Sequence, residues 1–423
     1  MPQRRQIAPG AYLSVLEADK FCRQRVSIHF IWPAVRERAT AEALLGLVME
    51  RGYAGCPDMT ELSKKLARLY GAALSVDGSV SGGNRVLTVS VTGIQDRFAL
   101  SGEALSDEYC AIAFGTAFEP VMAGGVIDPQ FVEIERTQLR EQLESEINDK
   151  RTYCIRQARR RFFGDAPAGV ERWGYLGEVD GVTAQDVTRA FENMVRTAQI
   201  EVMCTGVDEA AAERALRAAL ARAGQRAPLA MAAPAAMPCA GTRQYDEAMD
   251  AVQGKLCLLF TAGEVLHGAR LSAMRVAGAL LGGTATSRLF QNVREKMSLC
   301  YYCSAGYTAS TGMLCVDSGV EHANCEAAQQ AILAELDKLC TGPIEPRELD
   351  ETKRALKNAL ISVGDSLQAA ENWYLGCLLR GADETPAQVI EEVQAVTADD
   401  VRSVLGAFRL SVAYRITKGG DGA

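Results

Sequence analysis

The chain has 423 residues, and 45 lysines and arginines against 53 aspartates and glutamates give a net charge of −8. With 48% hydrophobic and 23% charged residues the composition is that of a globular protein, which excludes disorder and fibrous repeats. This length fits two domains of roughly 200 residues better than one core, and the acidic balance argues against a nucleic-acid partner.

No stretch approaches the ~20 apolar residues that cross a bilayer, so no membrane association is expected. Two arginines in Met1-Pro2-Gln3-Arg4-Arg5 have no apolar run behind them, as a secretory signal would need. The 13 scattered cysteines suit free thiols in a reducing cytosol, and a cytoplasmic location is expected. Histidine is scarce. The chain holds three, His29, His267 and His322, with no two a helical turn apart. A protein this poor in histidine has little to spend on bases or metal ligands.

In chain order, strand patterns fall near residues 27–32, 73–79, 86–92 and 199–205. Helical patterns fall near 40–51, 59–70, 98–117, 129–162 and 184–196, with Asp58 and Glu61 as a capping pair for the second. Ser79-Val80-Ser81-Gly82-Gly83-Asn84 reads as a hairpin turn, since no phosphate-loop lysine follows its glycines. Residues 223–242 are rich in alanine and carry Pro228, Pro234 and Pro238, the mark of a semi-extended linker. Beyond it, strands are predicted near 256–261, 299–308, 313–320 and 410–416, with a hairpin at Ala309-Ser310-Thr311-Gly312 and helices elsewhere.

The two halves repeat each other. Ile127-Asp128-Pro129 and Ile344-Glu345-Pro346 each open an amphipathic helix, at an offset of 344 − 127 = 217. Val132, Arg136, Leu139 and Leu143 match Leu349, Lys353, Leu356 and Leu360 at that same offset. Val182-Thr183-Ala184-Gln185-Asp186-Val187 matches Val396-Thr397-Ala398-Asp399-Asp400-Val401, each with a threonine N-cap and an acid three residues on. The expected fold is α+β: two tandem homologous domains (1–222 and 243–423, joined by 223–242), each an antiparallel sheet with helices on one face.

After the turn Leu281-Gly282-Gly283-Thr284 comes a helix that Ser287 would cap, with the stripe Leu289, Phe290 and Val293. It holds Arg294, and Tyr301 follows seven residues later at the start of a strand. This segment resembles the insulinase/pitrilysin family of metallopeptidases, whose C-terminal domain carries such a helix, arginine and tyrosine. The resemblance extends to the duplicated, LuxS-like two-domain plan. It implies that Arg294 and Tyr301 contact substrate opposite a zinc ion. A guanidinium can grip a peptide carbonyl or carboxylate, and a phenol can donate to a developing oxyanion.

Catalytic members of that family carry H-x-x-E-H on the first long helix, where two histidines hold zinc and the glutamate activates water. Placed from the turn Leu69-Tyr70-Gly71-Ala72, the motif would fall at Leu45-Gly46-Leu47-Val48-Met49, which has none of those residues. Glu141 is the candidate for the distal glutamate's place, with a solvated helix charge as its ordinary reading. The resemblance therefore implies a chain with no catalytic residues of its own, no metal and no cofactor. It would pair as a heterodimer with a zinc-bearing homologue around a peptide or protein substrate. The Leu69–Ala72 turn and Asn148-Asp149-Lys150-Arg151-Thr152-Tyr153 look most like a bacterial subfamily linked to the 5-aminopentanol modification of elongation factor P. Two other readings stay open: a metalloendopeptidase with an unrecognised site, and a structural subunit like the core subunits of a respiratory complex.

Three further features read as structural. Cys300 and Cys303 form a C-x-x-C on a predicted strand, where packing thiols are expected rather than a redox pair. Arg159-Arg160-Arg161 ends a long helix, where cations suit the dipole. His29 has no second ligand near it in sequence and reads as a strand residue.

Overall fold

The computed structural model describes residues 3–418; Met1 and Pro2, part of the leader argument, and residues 419–423 lie outside the described residues. The first half runs β1 (Gln3–Ala8), β2 (Ala11–Leu16), β3 (Arg23–Pro33), α1 (Ala39–Met49), α2 (Met59–Arg68), β4 (Ala73–Ser81), β5 (Asn84–Ile94) and α3 (Leu105–Phe118). It continues with a small hairpin, β6 (Met122–Ala123) and β7 (Val126–Ile127), then α4 (Pro129–Ser145), α5 (Lys150–Phe163), α6 (Leu176–Val179), α7 (Ala184–Thr197), β8 (Gln199–Thr205) and α8 (Glu209–Ala223). The second half runs β9 (Arg243–Met249), β10 (Gly254–Thr261), α9 (Gly268–Gly278), β11 (Cys300–Thr308), β12 (Met313–Val320) and α10 (Cys325–Thr341). It ends with α11 (Pro346–Ser362), α12 (Leu367–Leu379), α13 (Pro386–Ala395), α14 (Ala398–Leu405) and β13 (Arg409–Lys418).

The main sheets share one strand order. The first is β1-β2-β8-β3-β5-β4, and the second, read from its far edge, is β9-β13-β10-β12-β11. Removing β1 makes the two lists equivalent strand by strand. Each sheet is antiparallel except for one pairing, β2 with β8 and β9 with β13, which are parallel. Both threonine capping boxes form: Thr183 with Asp186 opens α7, and Thr397 with Asp400 opens α14. Satisfying exposed N–H groups at the same step in both halves is the repeat seen at the level of hydrogen bonds.

The chain divides into two compact units. One comprises residues 1–144, 170–232 and 367–374; the other comprises 145–169, 233–366 and 375–423. The boundary at Ala232/Ala233 lies within the 223–242 segment, and two short segments are exchanged between the halves. In the second unit, α5 lays Cys154, Ala158 and Phe162 on a face of the sheet made by Cys257, Leu259, Val412 and Ile416. In the first unit, Glu371 reaches Arg25 and Ser27 on β3 and Thr205 on β8. Cys154 and Glu371 are 371 − 154 = 217 residues apart, the offset of the duplication. Each sheet face opposite the main helical layer is thus partly covered by a helix from the other half of the sequence.

Several predicted elements shift. The single helix over 129–162 is two, because Asp149 accepts from the backbone N–H groups of Arg151 and Thr152 and starts α5 afresh. The helix over 98–117 begins at Leu105; before it, Leu100 N–H donates to the Tyr70 hydroxyl, and Gly102 takes φ +75°. Ser287 does not cap its helix: its hydroxyl is buried without a hydrogen-bond partner. The turn at 69–72 is sharp, with Tyr70 at φ +59° and Gly71 at φ +69°. His29 is buried on β3, its Nδ1 within 2.8 Å of the Thr88 hydroxyl, and burial drives its pKa down to about 3, so it stays neutral. Arg161 stacks over Tyr245. No helix among the described residues is long and apolar enough to cross a membrane.

Candidate peptide-contact site

Arg294 and Tyr301 both lie in the second unit, on either side of a tight connection. The segment before them is fixed by buried contacts. Leu289 and Val293 are fully buried, and Arg288 grips Glu348 through two nitrogens, at 2.8 and 3.1 Å, while also donating to the Pro343 carbonyl at 2.8 Å. Such a fork holds both planes and sets the helix angle. Asn292 donates to Glu335 at 2.7 Å. Gly282 is required just upstream, because a Cβ there would lie 2.6 Å from the backbone N of Ala305 on β11.

The helix over Leu289–Lys296 is not α-helical but wound with the wider π spacing, seen where Met297 N–H reaches the Asn292 carbonyl at 2.9 Å. Wide turns of this kind displace a side chain from the regular helical row. Arg294 is held lightly: its side chain is 39% exposed, lies over the Phe290 ring at 4.5 Å and sits 3.5 Å from Glu295. The chain then turns through Ser298, at φ +52°, into β11.

Tyr301 occupies a β-bulge. Cys300 faces Val320 and Tyr302 faces Gly319, so Tyr301 is the extra residue on its strand. Its ring is 49% exposed, and its hydroxyl donates to Glu321 at 3.2 Å. The Glu321 carboxylate raises the phenol's pKa, so the group is a proton donor and not a phenolate. Strand β11 is the edge of its sheet, paired only with β12 among the described residues. The structure thus presents an exposed guanidinium, an exposed phenol and an open strand edge. What sequence reasoning missed is the bulge, which re-aims Tyr301 and depends on cross-strand register.

The α1 segment named for the zinc motif is core. Leu45 is fully buried, Val48 is 3% exposed and Met49 is 1% exposed. Glu141 is exposed on α4. Among the described residues no group of three or more histidine, cysteine, aspartate or glutamate side chains could hold a metal ion. The Asn148–Tyr153 motif is bound into the second unit: Asp149 caps α5, Arg151 pairs with Asp317 at 2.6 Å, and Tyr153 donates to Glu247 at 3.0 Å.

Comparison with known proteins fits this picture. Residues 181–356 match the family described as Peptidase M16 inactive domain. The chain is 22% identical to the probable inactive metalloprotease YmfF of Bacillus subtilis, over 98% of this chain and 97% of that one. Its fold matches a conserved protein from Enterococcus faecalis with a TM-score of 0.89 at 24% identity, covering all of both chains. It also matches a peptidase M16 inactive domain from Pseudomonas fluorescens with a TM-score of 0.78 at 16% identity, over 100% of this chain and 99% of that one. At those identities the two structures speak for the fold alone. The chain is thus similar to the M16 inactive-domain family over residues 181–356, and to a probable inactive metalloprotease over nearly its whole length.

Proposed function

We propose that this chain is the zinc-free subunit of a two-subunit peptidase, pairing in the cytoplasm with a zinc-bearing homologue and contributing Arg294 and Tyr301 to the handling of a peptide. The observation that carries this reading is a contrast. The α1 segment where the zinc motif would fall is packed with apolar side chains, while Arg294 and Tyr301 stay exposed beside an open strand edge. An exposed arginine and tyrosine, each lightly held, suit the binding of an extended peptide. Its backbone can add to β11 while the two side chains grip carbonyl or carboxylate groups. The system served is the 5-aminopentanol modification of elongation factor P, a proposal resting on resemblance to the bacterial subfamily that the 69–72 turn and the 148–153 motif suggest.

The test is a reconstituted pair with the zinc-bearing homologue. Arg294→Ala is expected to lower kcat/KM for peptide cleavage roughly 10–100-fold, the size of losing a charge-assisted hydrogen bond of about 1.5–3 kcal/mol to the substrate, without changing the melting temperature. Full activity in that variant would refute the completing role.

A further inference from the structure

The bulge at Tyr301 has a second effect. Residues three apart on a regular strand point to opposite faces. Here Cys300 faces Val320 and Cys303 faces Ser318, two residues that share one face of β12, so both thiols lie on that same face. Cys303 lies directly across from Ser318, and Cys300 lies across from Val320, two residues further along β12. The Ser318 hydroxyl is itself fixed by its 2.7 Å bond to the Tyr302 carbonyl. Arg294 adds a positive charge near Cys300. Cys300 is 9% exposed, between the exposed Met297 and Tyr301 at the end of an edge strand, and Cys303 is 6% exposed behind it.

We propose that Cys300 and Cys303 form a reversible thiol-modification site, with Cys300 as the attacking and Cys303 as the resolving thiol, taking low-molecular-weight disulfides as substrate. The electrostatics agree with that assignment. The neighbouring Cys303 thiol, the Ser318 hydroxyl and the Arg294 charge hold the Cys300 thiol below the ordinary thiol range, while the Cys300 thiol and burial hold Cys303 above it. The more acidic and more exposed of the two thiols supplies more thiolate and is the attacking group in exchange. The Cys300 thiolate attacks one sulfur of glutathione disulfide, the S–S bond breaks, and one glutathione thiolate leaves. Cys303 then attacks the Cys300 sulfur of the mixed disulfide, passing its proton to the second departing glutathione thiolate. Two cysteine thiols are oxidised, and one glutathione disulfide is reduced to two thiols. The product bridges the residues on either side of Tyr301 and Tyr302, so it fixes the bulge that aims the Tyr301 phenol.

The experiment incubates the full chain with glutathione disulfide at neutral pH and maps the products by tandem mass spectrometry. The expected product has lost two hydrogens, carries a Cys300–Cys303 link and returns to the starting mass with dithiothreitol. Cys303→Ser is expected to stop at one glutathione adduct on Cys300, and Cys300→Ser to give neither product. An adduct confined to the exposed Cys22 and Cys239 would overturn the proposal. So would a link between Cys257 and Cys315, whose sulfurs lie 3.8 Å apart.

Discussion

Replacing Glu371 by alanine is expected to lower the stability of the first unit by about 3–5 kcal/mol, the range for breaking a buried ion pair from one side. The Glu371 side chain is 1% exposed and its partner Arg25 is 12% exposed, with Nε at 2.7 Å. Ser27 donates to the same carboxylate at 2.5 Å and Thr205 to its other oxygen at 3.2 Å. Burial raises the carboxyl's pKa, and Arg25 with the two hydroxyls opposes that. Removing the carboxylate leaves a guanidinium with little water and two hydroxyls without their acceptor, and each such loss costs desolvation that nothing returns. Glu371→Gln keeps an acceptor but not the charge, so an intermediate loss is expected. Urea denaturation of the two variants checks this. A midpoint unchanged in the alanine variant would mean that the 367–374 segment does not depend on this cluster.

The triple variant Leu45→His, Val48→Glu, Met49→His is expected to prevent folding of the first unit, not to create a zinc site. These positions are 0%, 3% and 1% exposed and pack in the first core. Each substitution removes apolar burial worth about 1.5–3 kcal/mol and adds a polar group costing roughly 1–3 kcal/mol when it lacks a partner. Together these losses overtake the 5–15 kcal/mol that typically separates folded from unfolded chains. Zinc offers little return, because Glu141 is exposed and no other metal-binding cluster occurs among the described residues. Soluble yield, thermal melting and zinc content of the purified variant decide the matter. A folded variant with one tightly held zinc would show that the α1 region still tolerates a metal site.

Much of the fold was legible because its signals are local. Threonine caps with an acid three residues on, the Gly82-Gly83 hairpin and the apolar strand cores each announce themselves within a few residues. Strands β1, β2 and β9 were missed: β1 (Gln3–Ala8) and β9 (Arg243–Met249) are mostly polar and partly exposed at sheet edges, and β2 (Ala11–Leu16) is a short run whose place is set by its pairing with β8, far along the chain. The break at Asp149 was readable in principle, since an N-cap aspartate there starts a new helix, but the long charged pattern masked it. The exchange of segments 145–169 and 367–374 has no local signature, because it depends on contacts far apart in sequence, such as Arg25 with Glu371. At the site, residue types and spacing pointed to Arg294 and Tyr301. The π-wound turn, the bulge and the shared face of Cys300 and Cys303 arise from packing and register, which a single sequence does not display.

The most direct test of the central claim is native mass spectrometry of the tagged chain isolated from its own cells, with metal content measured on each species. The account predicts a one-to-one complex with a second chain of similar size, with zinc on that second chain only. Stoichiometric zinc on this chain, or a species that never includes a zinc-bearing partner, would contradict it.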